Sequence, residues 1–453
     1  MNYVELLKLL PGIEEPEKRL NFKDKLKWTG IILILFLVMG QVMIWGVDPQ
    51  AIQRFEFLET IMGSTMGTLV TLGIGPIVTS SIILQLLTGS GIIPWDTNTH
   101  EGKIKFMGTQ KLLAVIFCIF ESIAFVISGA IPALNAAFVP ILILQLTAGG
   151  IMIIFMDEVI SKWGFGSGIS LFIAAGVSKG IFIGALNFVG NTPGAIPATI
   201  ISLSAGKTIE ALGNLIPLIF TVVVFLGVVY VQAMKVEVPL TFGRVSGFGR
   251  RWPLKFVYAS VIPVILASAL LANLRLWGRM LANNGLPILG TFNTDGQPIS
   301  GLLYFLSPPR NQDLSNILVS YLSGSSVPPV TITWITYTLY LVAAAVVFSV
   351  FWVQTAGKDS KSVAEQISNA GLSVPGFRRD IRVIQRVLER YITPLSVMGG
   401  VTVGLLASAA DFTGALGTGT GILLSVMIVY NLYEEISKQH MEDMHPALRK
   451  FMQ

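Results

Sequence analysis

The chain has 453 residues, of which 53% are hydrophobic and 13% charged, and its mean hydropathy is +0.70. A soluble domain carries about a quarter charged residues, so this chain cannot coat a soluble surface of its size. An ordinary soluble enzyme, a disordered hub and a fibrous repeat are excluded, and most of the chain must face lipid. The net charge is +5, and in a membrane protein its placement matters more than its sum. A single cysteine, Cys118, leaves no internal disulfide and no cysteine-based metal site.

Residues 2–10 form a short amphipathic stretch, with Leu6, Leu7 and Leu10 opposed to Glu5 and Lys8, expected to lie on the membrane surface. The first apolar run starts after residue 25 and is long enough to stay as a span, so no cleavable signal peptide is expected. A hydrocarbon core of about 30 Å takes about 20 apolar residues. Runs of that kind occupy 28–46, 110–131, 138–156, 168–189, 212–233, 255–277, 330–353, 393–410 and 418–433. A further run, 74–88, reaches only about 22 Å and cannot cross alone. It follows residues 55–68, which carry Glu56, Glu59, Thr60, Ser64 and Thr65 and are too polar for lipid. The joint contains Gly67, Gly73, Gly75 and Pro76, residues that break helices by backbone entropy and by loss of a donor. This pattern predicts one broken second helix. Such backbone survives at membrane depth only when it is buried in protein or lines a water-filled cavity.

Loop charge sets the orientation. The N-terminus, 88–111, 157–167, 234–255, 354–391 and the C-terminal tail hold 25 of the 31 Lys and Arg. The other side holds Arg54, Lys179, Lys207, Arg275, Arg279 and Arg310. The basic side is expected in the cytosol, with both termini there after ten crossings. The predicted fold is therefore an all-α polytopic membrane protein. The gap at 191–211 divides it into halves of five spans, 28–190 and 212–437, flanked by cytosolic segments 1–27 and 438–453. An odd number of spans per half forces opposite orientations, the geometry of an inverted repeat. No strong letter-level similarity relates the halves, so parity is the only support.

Catalysis finds little footing. Gly166-Ser167-Gly168 places a serine between glycines, but no histidine lies in any span to act as a base. Gly164, Gly166 and Gly168 mimic a phosphate loop, yet no strand precedes them and no Lys-Ser/Thr pair follows. A turn and close helix packing explain these glycines better. A secondary transporter is the serious rival, since broken helices and inverted repeats mark that class. Transporters carry buried ionisable groups for coupling. Here Glu121 is the one mid-span carboxylate, with Arg275 near a helix end and Asp157, Glu158 and Asp411 at helix ends. A lone buried Glu serves equally as a polar clasp between helices. A passive scaffold or insertase without a pore is a third reading.

Two stretches carry a resemblance. Residues 68–87, Thr-Leu-Val-Thr-Leu-Gly-Ile-Gly-Pro-Ile-Val-Thr-Ser-Ser-Ile-Ile-Leu-Gln-Leu-Leu, resemble the second-helix signature of the SecY family of protein-conducting channels. Residues 155–173, Phe-Met-Asp-Glu-Val-Ile-Ser-Lys-Trp-Gly-Phe-Gly-Ser-Gly-Ile-Ser-Leu-Phe-Ile, resemble its signature between helices four and five. The span count, the broken helix and the long basic loops extend the likeness along the whole chain. The Gly-Ile-Gly-Pro-Ile-Val wording and the Lys-Trp-Thr-Gly start of the first span resemble the archaeal branch.

The resemblance implies a clamshell of two five-helix halves around an hourglass pore that passes unfolded polypeptide and releases apolar segments into lipid. It implies a plug made of Phe55, Glu56, Phe57, Leu58, Glu59, Thr60, Ile61, Met62, Gly63, Ser64, Thr65, Met66 and Gly67. It implies a pore ring of Ile74, Val78, Ile169, Ile173, Ile265 and Leu424. The first two pairs are spaced i, i+4 and so share a helix face. Aliphatic rings gate by dewetting and offer no charge to trap a substrate; the residues alone read equally as ordinary core. It implies a lateral gate between helices two and three on one side and seven and eight on the other, with Thr79, Glu121 and Asn273 as its polar cluster and Ser80, Ser81 and Gln85 nearby.

Loops 234–255 and 354–391 are basic. The first has Lys235, Arg244, Arg250, Arg251 and Lys255 against Glu237; the second has Lys358, Lys361, Arg378, Arg379, Arg382, Arg386 and Arg390 against four acids. The positive-inside bias accounts for part of this charge but not for the loop length. The resemblance implies that they dock the ribosome, through Arg244, Arg250, Arg251, Arg378 and Arg379, because the guanidinium fork suits phosphate. The remaining implied partners are a SecE (gamma-type) subunit, a small beta-type subunit, signal sequences and nascent polypeptides, the signal-recognition-particle receptor and membrane lipid. No cofactor and no metal are implied. No ATP-binding motif is present, so a partner must supply the driving force.

Overall fold

In lipid a backbone has no water to bond, so apolar runs close their own hydrogen bonds as helices. The computed structural model describes residues 11–18, 20–48, 59, 62–95, 99–188, 193–242, 249–283, 285–293, 297–309, 312–324, 326, 332–369, 372–373 and 380–444. The first block of helices is α1 (Phe22–Met39), α2 (Gly75–Gly89), α3 (His100–Ile127), α4 (Val139–Trp163) and α5 (Gly168–Leu186). Short α6 (Ala195–Ser204) and long α7 (Thr208–Ala233) follow. A hairpin of β1 (Lys235–Phe242) and β2 (Gly249–Lys255) leads to α8 (Ile262–Asn283), α9 (Leu302–Leu306), α10 (Leu314–Leu322) and α11 (Thr333–Thr355). The chain ends with α12 (Ser360–Asn369), β3 (Leu372–Ser373), α13 (Ile381–Thr413) and α14 (Gly419–Met444).

Among the described residues, 7 helices are long and apolar enough to cross a membrane, namely α3, α4, α5, α7, α8, α11 and α13. The other expected spans are shorter or more charged. α1 has 18 residues and opens with Lys23, Asp24, Lys25 and Lys27. α2 has 15 residues, and α14 becomes charged from Glu434 onward. The chain is a multi-pass, helical membrane protein, with one small sheet among the described residues.

The two blocks pack by one plan. α2 packs on α3, α3 on α4, α4 on α5, and α1 on both α4 and α5. α8 packs on α11, α11 on α13, α13 on α14, and α7 on both α13 and α14. A shared local device marks the repeat. Asp157 of α4 accepts from the Ile169 N–H at the start of α5, at 2.9 Å. Asp411 of α13 accepts from the Thr420 N–H at the start of α14, at 2.7 Å. α5 and α14 run antiparallel, since Gly166 faces Glu435 and Gly184 faces Leu416. The same cap therefore sits on opposite faces of the bilayer. The letters carry it too: Gly-Phe-Gly-Ser-Gly-Ile at 164–169 parallels Gly-Thr-Gly-Thr-Gly-Ile at 417–422. Parity is thus not the only sign of the repeat.

Three expected boundaries shift. The gap 191–211 contains α6, because its Ala-Ile-Pro-Ala-Thr-Ile-Ile-Ser-Leu run is apolar enough for a helix though too short to span. The span expected from 255 starts at Ile262, because Lys255 closes β2. The span expected at 393–410 lies inside α13, whose 33 residues reach about 50 Å, well beyond the hydrocarbon. Its N-terminal turns, with Arg382, Arg386 and Arg390, therefore project on the basic side.

The two basic loops are one body. β1 pairs with β2 in antiparallel register from Lys235↔Lys255 to Thr241↔Gly249, and with β3 at Thr241↔Ser373 and Phe242↔Leu372. Val238 and Leu254 of the hairpin share a core with Val363, Ala364 and Ile367 of α12 and with Ile384, Leu388 and Ile392 of α13. That core is separate from the one running through the membrane.

Candidate functional site

A cavity of about 490 Å³ opens between the two halves. Its walls are Val78, Ser81 and Gln85 of α2, Lys103, Phe106, Met107 and Gln110 of α3, Ile169 and Ser170 of α5, Ile262, Ile265 and Leu266 of α8, and Trp352 and Thr355 of α11. These are the helix ends that adjoin the basic loops, so the cavity opens on the basic side. Its lining carries one charge, Lys103. Three of the six ring residues, Val78, Ile169 and Ile265, line it. The other three, Ile74, Ile173 and Leu424, are buried in the same apolar cluster. The six come from α2 and the residue that precedes it, and from α5, α8 and α14, both halves contributing.

On the far side of that cluster lie residues 62–67. Of the expected plug, Phe55, Glu56, Phe57, Leu58, Thr60 and Ile61 fall outside the described residues; Glu59 and Met62 are helical. The Glu59 carbonyl accepts from Ser64 N–H at 2.9 Å, and its carboxylate accepts from Met66 N–H at 2.8 Å. The Met62 carbonyl accepts from Ile74 N–H at 2.9 Å, which ties the segment to the start of α2. Gly73 permits this approach: its φ is +53°, and a β-carbon there would fall 2.1 Å from the Met62 carbonyl oxygen. Gly63 lies on α5, where its own β-carbon would come 3.1 Å from the Phe172 carbonyl oxygen. Met62 and Met66 are buried. An apolar collar thus has an open cavity on one side and a packed segment on the other.

The seam between the halves runs where α2 and α3 meet α8, and α2 meets α11. At its centre Asn273 Nδ2 donates to Thr79 Oγ1 at 2.8 Å, and the Thr79 hydroxyl lies 2.8 Å from Glu121 Oε1, to which it donates. All three side chains are buried. At one end Asn283 Nδ2 donates to the Ser128 carbonyl at 2.7 Å. At the other, Gly89 of α2 meets the ring of Phe351. Ser80 and Gln85 behave differently. Ser80 bonds back to the Ile77 carbonyl at 2.8 Å, and Gln85 donates to Ser81 at 2.8 Å on its own helix. The structure thus joins Thr79, Glu121 and Asn273 across the seam, while Ser80 and Gln85 stay within α2 and Gln85 faces the cavity.

Sequence reasoning missed Met62 as a neighbour of this cluster. A β-carbon on Gly75 would fall 2.7 Å from Met62 Sδ and 2.8 Å from Glu121 Oε2. Gly75 is the only letter that hints at it, as a glycine where a helix begins.

On the basic side, Arg250 and Arg251 sit in β2, opposite Leu240 and Pro239. Arg244, Arg378 and Arg379 fall outside the described residues. The hairpin is fastened at its base. Lys255 pairs with Glu434 at 2.6 Å and donates to Asn431 at 2.9 Å. Asn431 also accepts from Gln232 at 3.0 Å and donates to Ser260, beside the start of α8, at 2.8 Å. Tyr258 donates to the Lys358 carbonyl at 2.8 Å, joining the two loops. Burial, with the Asp359 carboxylate nearby, pushes its hydroxyl up to about 12.

A family model described as SecY matches residues 68–433. A protein translocase subunit SecY from Methanococcus vannielii is 43% identical over 452 residues, covering 100% of this chain and 99% of the relative. A solved structure described as a protein conducting channel is 43% identical with a TM-score of 0.87, covering 99% of each chain. Another, Sec61 in the canine ribosome-channel complex from the endoplasmic reticulum, is also 43% identical, with a TM-score of 0.84 and 99% of each chain covered. Its two signature stretches, its paired halves and its full-length match to archaeal translocase subunits agree: the chain belongs to the SecY family.

Proposed function

We propose that the cavity is the cytosolic funnel of a protein-conducting channel and that the aliphatic collar beneath it is the constriction an extended polypeptide passes. The observation that carries this reading is the placement of Ile74, Val78, Ile169, Ile173, Ile265 and Leu424 between an open cavity and the packed segment 62–67. Such a collar excludes hydrated ions by dewetting and holds no group that binds a passing chain. Residues 55–67 act as the plug, and the Thr79–Glu121–Asn273 contact as the clasp of a seam that parts toward lipid. Glu121 is engaged by Thr79 within that contact, which supports a clasp rather than a coupling site for small-solute transport.

The cytosolic body built by β1, β2, β3, α12 and the projecting turns of α13 is the docking face for the ribosome. Its two basic strips come from loops that share one core, so they meet rRNA phosphate as a unit. Single-span partners of the SecE and beta types cover the lipid-facing back, where α7 exposes Ile219, Val222, Val223 and Leu226. Signal sequences and nascent polypeptides enter from the funnel, and the signal-recognition-particle receptor delivers them. The chain resides in the cell membrane with both termini in the cytosol. The test is conductance in a planar bilayer. The intact channel should be nearly silent, and deletion of residues 55–66 should raise ion leak; unchanged conductance counts against the plug.

A further inference from the structure

The segment between α8 and α11 has an unusual composition for an extramembrane loop. Residues 285–293 and 297–309 contain no Asp, Glu, Lys or Arg, the nearest charges being Asp295 between them and Arg310 after them. The segment folds back on itself. Ile299 N–H donates to the Thr291 carbonyl at 2.8 Å and Leu303 N–H to the Leu289 carbonyl at 3.1 Å, with a bridge at Phe292↔Pro298. Gly290 and Gly301 let the two arms touch: a β-carbon on Gly301 would fall 2.5 Å from the Gly290 Cα. One face is anchored on the end of α8, where Leu303, Leu289 and Phe292 surround Gly278. The opposite face exposes Leu286, Ile288, Ile299, Leu302 and Phe305, with Leu302 at 54% and Ile288 at 73%.

The position of that face indicates what covers it. α9 packs on α11, and Thr336 Oγ1 donates to the Phe305 carbonyl at 2.6 Å. Phe305 is thereby set beside the first turns of α11, whose Ile332, Ile335 and Leu339 are exposed at 65%, 69% and 68% on its lipid-facing side. The apolar face of the loop continues that stripe outward from the bilayer. We infer that residues 285–293 and 297–309 form a membrane-interfacial toe, whose Leu286, Ile288, Ile299, Leu302 and Phe305 are immersed in the lipid leaflet opposite the cytosol. The chemistry fits the site: several backbone N–H groups are bonded within the hairpin, none of the residues 285–293 and 297–309 carries a charge to desolvate, and Tyr304 suits headgroup depth. The toe grips α8 and α11, both seam helices, so it couples their outer ends to that leaflet.

The experiment places a single cysteine at Leu302 or Phe305 in a Cys118→Ala background of the full chain, attaches an environment-sensitive fluorophore, and reconstitutes the protein in phospholipid vesicles. Glu210→Cys, whose side chain is 58% exposed on the same face, is the aqueous control. Nitroxide lipids labelled at a shallow acyl position should quench the toe probes several-fold more than aqueous iodide does, with the order reversed at position 210. Iodide quenching at both toe positions overturns the inference. Protection from both quenchers overturns it as well, since it assigns the face to a protein partner or a second copy.

Discussion

Met62 and Glu121 both crowd Gly75, the sulfur and the carboxylate oxygen each lying within 3 Å of where a β-carbon on that glycine would stand. The segment on the far side of the collar and the polar cluster of the seam therefore converge on the same glycine.

Gly75→Ala is expected to displace Met62 and Glu121 together, loosening plug and seam in one step. Resting ion leak in planar bilayers should rise. Gly227→Ala, where a β-carbon meets nothing within 4 Å, should leave leak unchanged. Equal behaviour of the two variants would separate plug from seam.

The seam clasp should be weak. Interhelical polar contacts in membranes average about 0.6 kcal/mol, so a Thr79→Val and Asn273→Leu double-mutant cycle should give a coupling near that value. Expressed as a gating equilibrium it is about threefold. Fluorescence energy transfer between labels on α2 and α8 reads it. A coupling of several kcal/mol would describe a permanent packing contact rather than a gate.

The cytosolic body should be as sensitive to its core as to its charge. Leu388 is fully buried there, and Leu388→Ala should cost about 2–5 kcal/mol of local stability. It should weaken ribosome binding while leaving resting leak intact. Charge reversal at Arg378 and Arg379 should weaken the same binding and flatten its dependence on salt. Unaltered affinity at low salt would move the docking face elsewhere.

The spans were legible because hydropathy is a local property, and the broken helix was legible because Gly67, Gly73 and Pro76 are local too. The hairpin was also written in the letters: Val236, Val238, Leu240 and Phe242 alternate with Glu237, Pro239 and Thr241, a period of two. By their charge, residues 234–255 read only as a basic loop. The union of the two loops was not legible, since Val238 and Ile384 are distant in sequence and no periodicity reports their contact. The same holds for the convergence of Met62 and Glu121 on Gly75. Thr79 with Asn273 came from family resemblance, not from the pattern of the residues themselves, and the structure supplied the hydrogen bond.

The repeated helix cap makes its own forecast. Asp157→Ala removes one tertiary cap and should lower stability by about 1 kcal/mol. Asp411→Ala should cost more, because Asp411 also accepts from Tyr337 at 2.6 Å and from the Thr420 hydroxyl, leaving those donors buried without it. Thermal unfolding of both variants in one detergent reads the difference, and an equal loss would mean that the extra bonds contribute nothing.

The central claim concerns the collar, and site-specific photocrosslinking of a stalled nascent chain tests it most directly. Probes at Ile74, Val78 and Ile173 should each form adducts with the translocating segment, while probes at lipid-facing Ile335 and Leu339 should not. Adducts confined to the lipid-facing positions, with none at the three aliphatic side chains, would contradict a polypeptide path through the centre of the molecule.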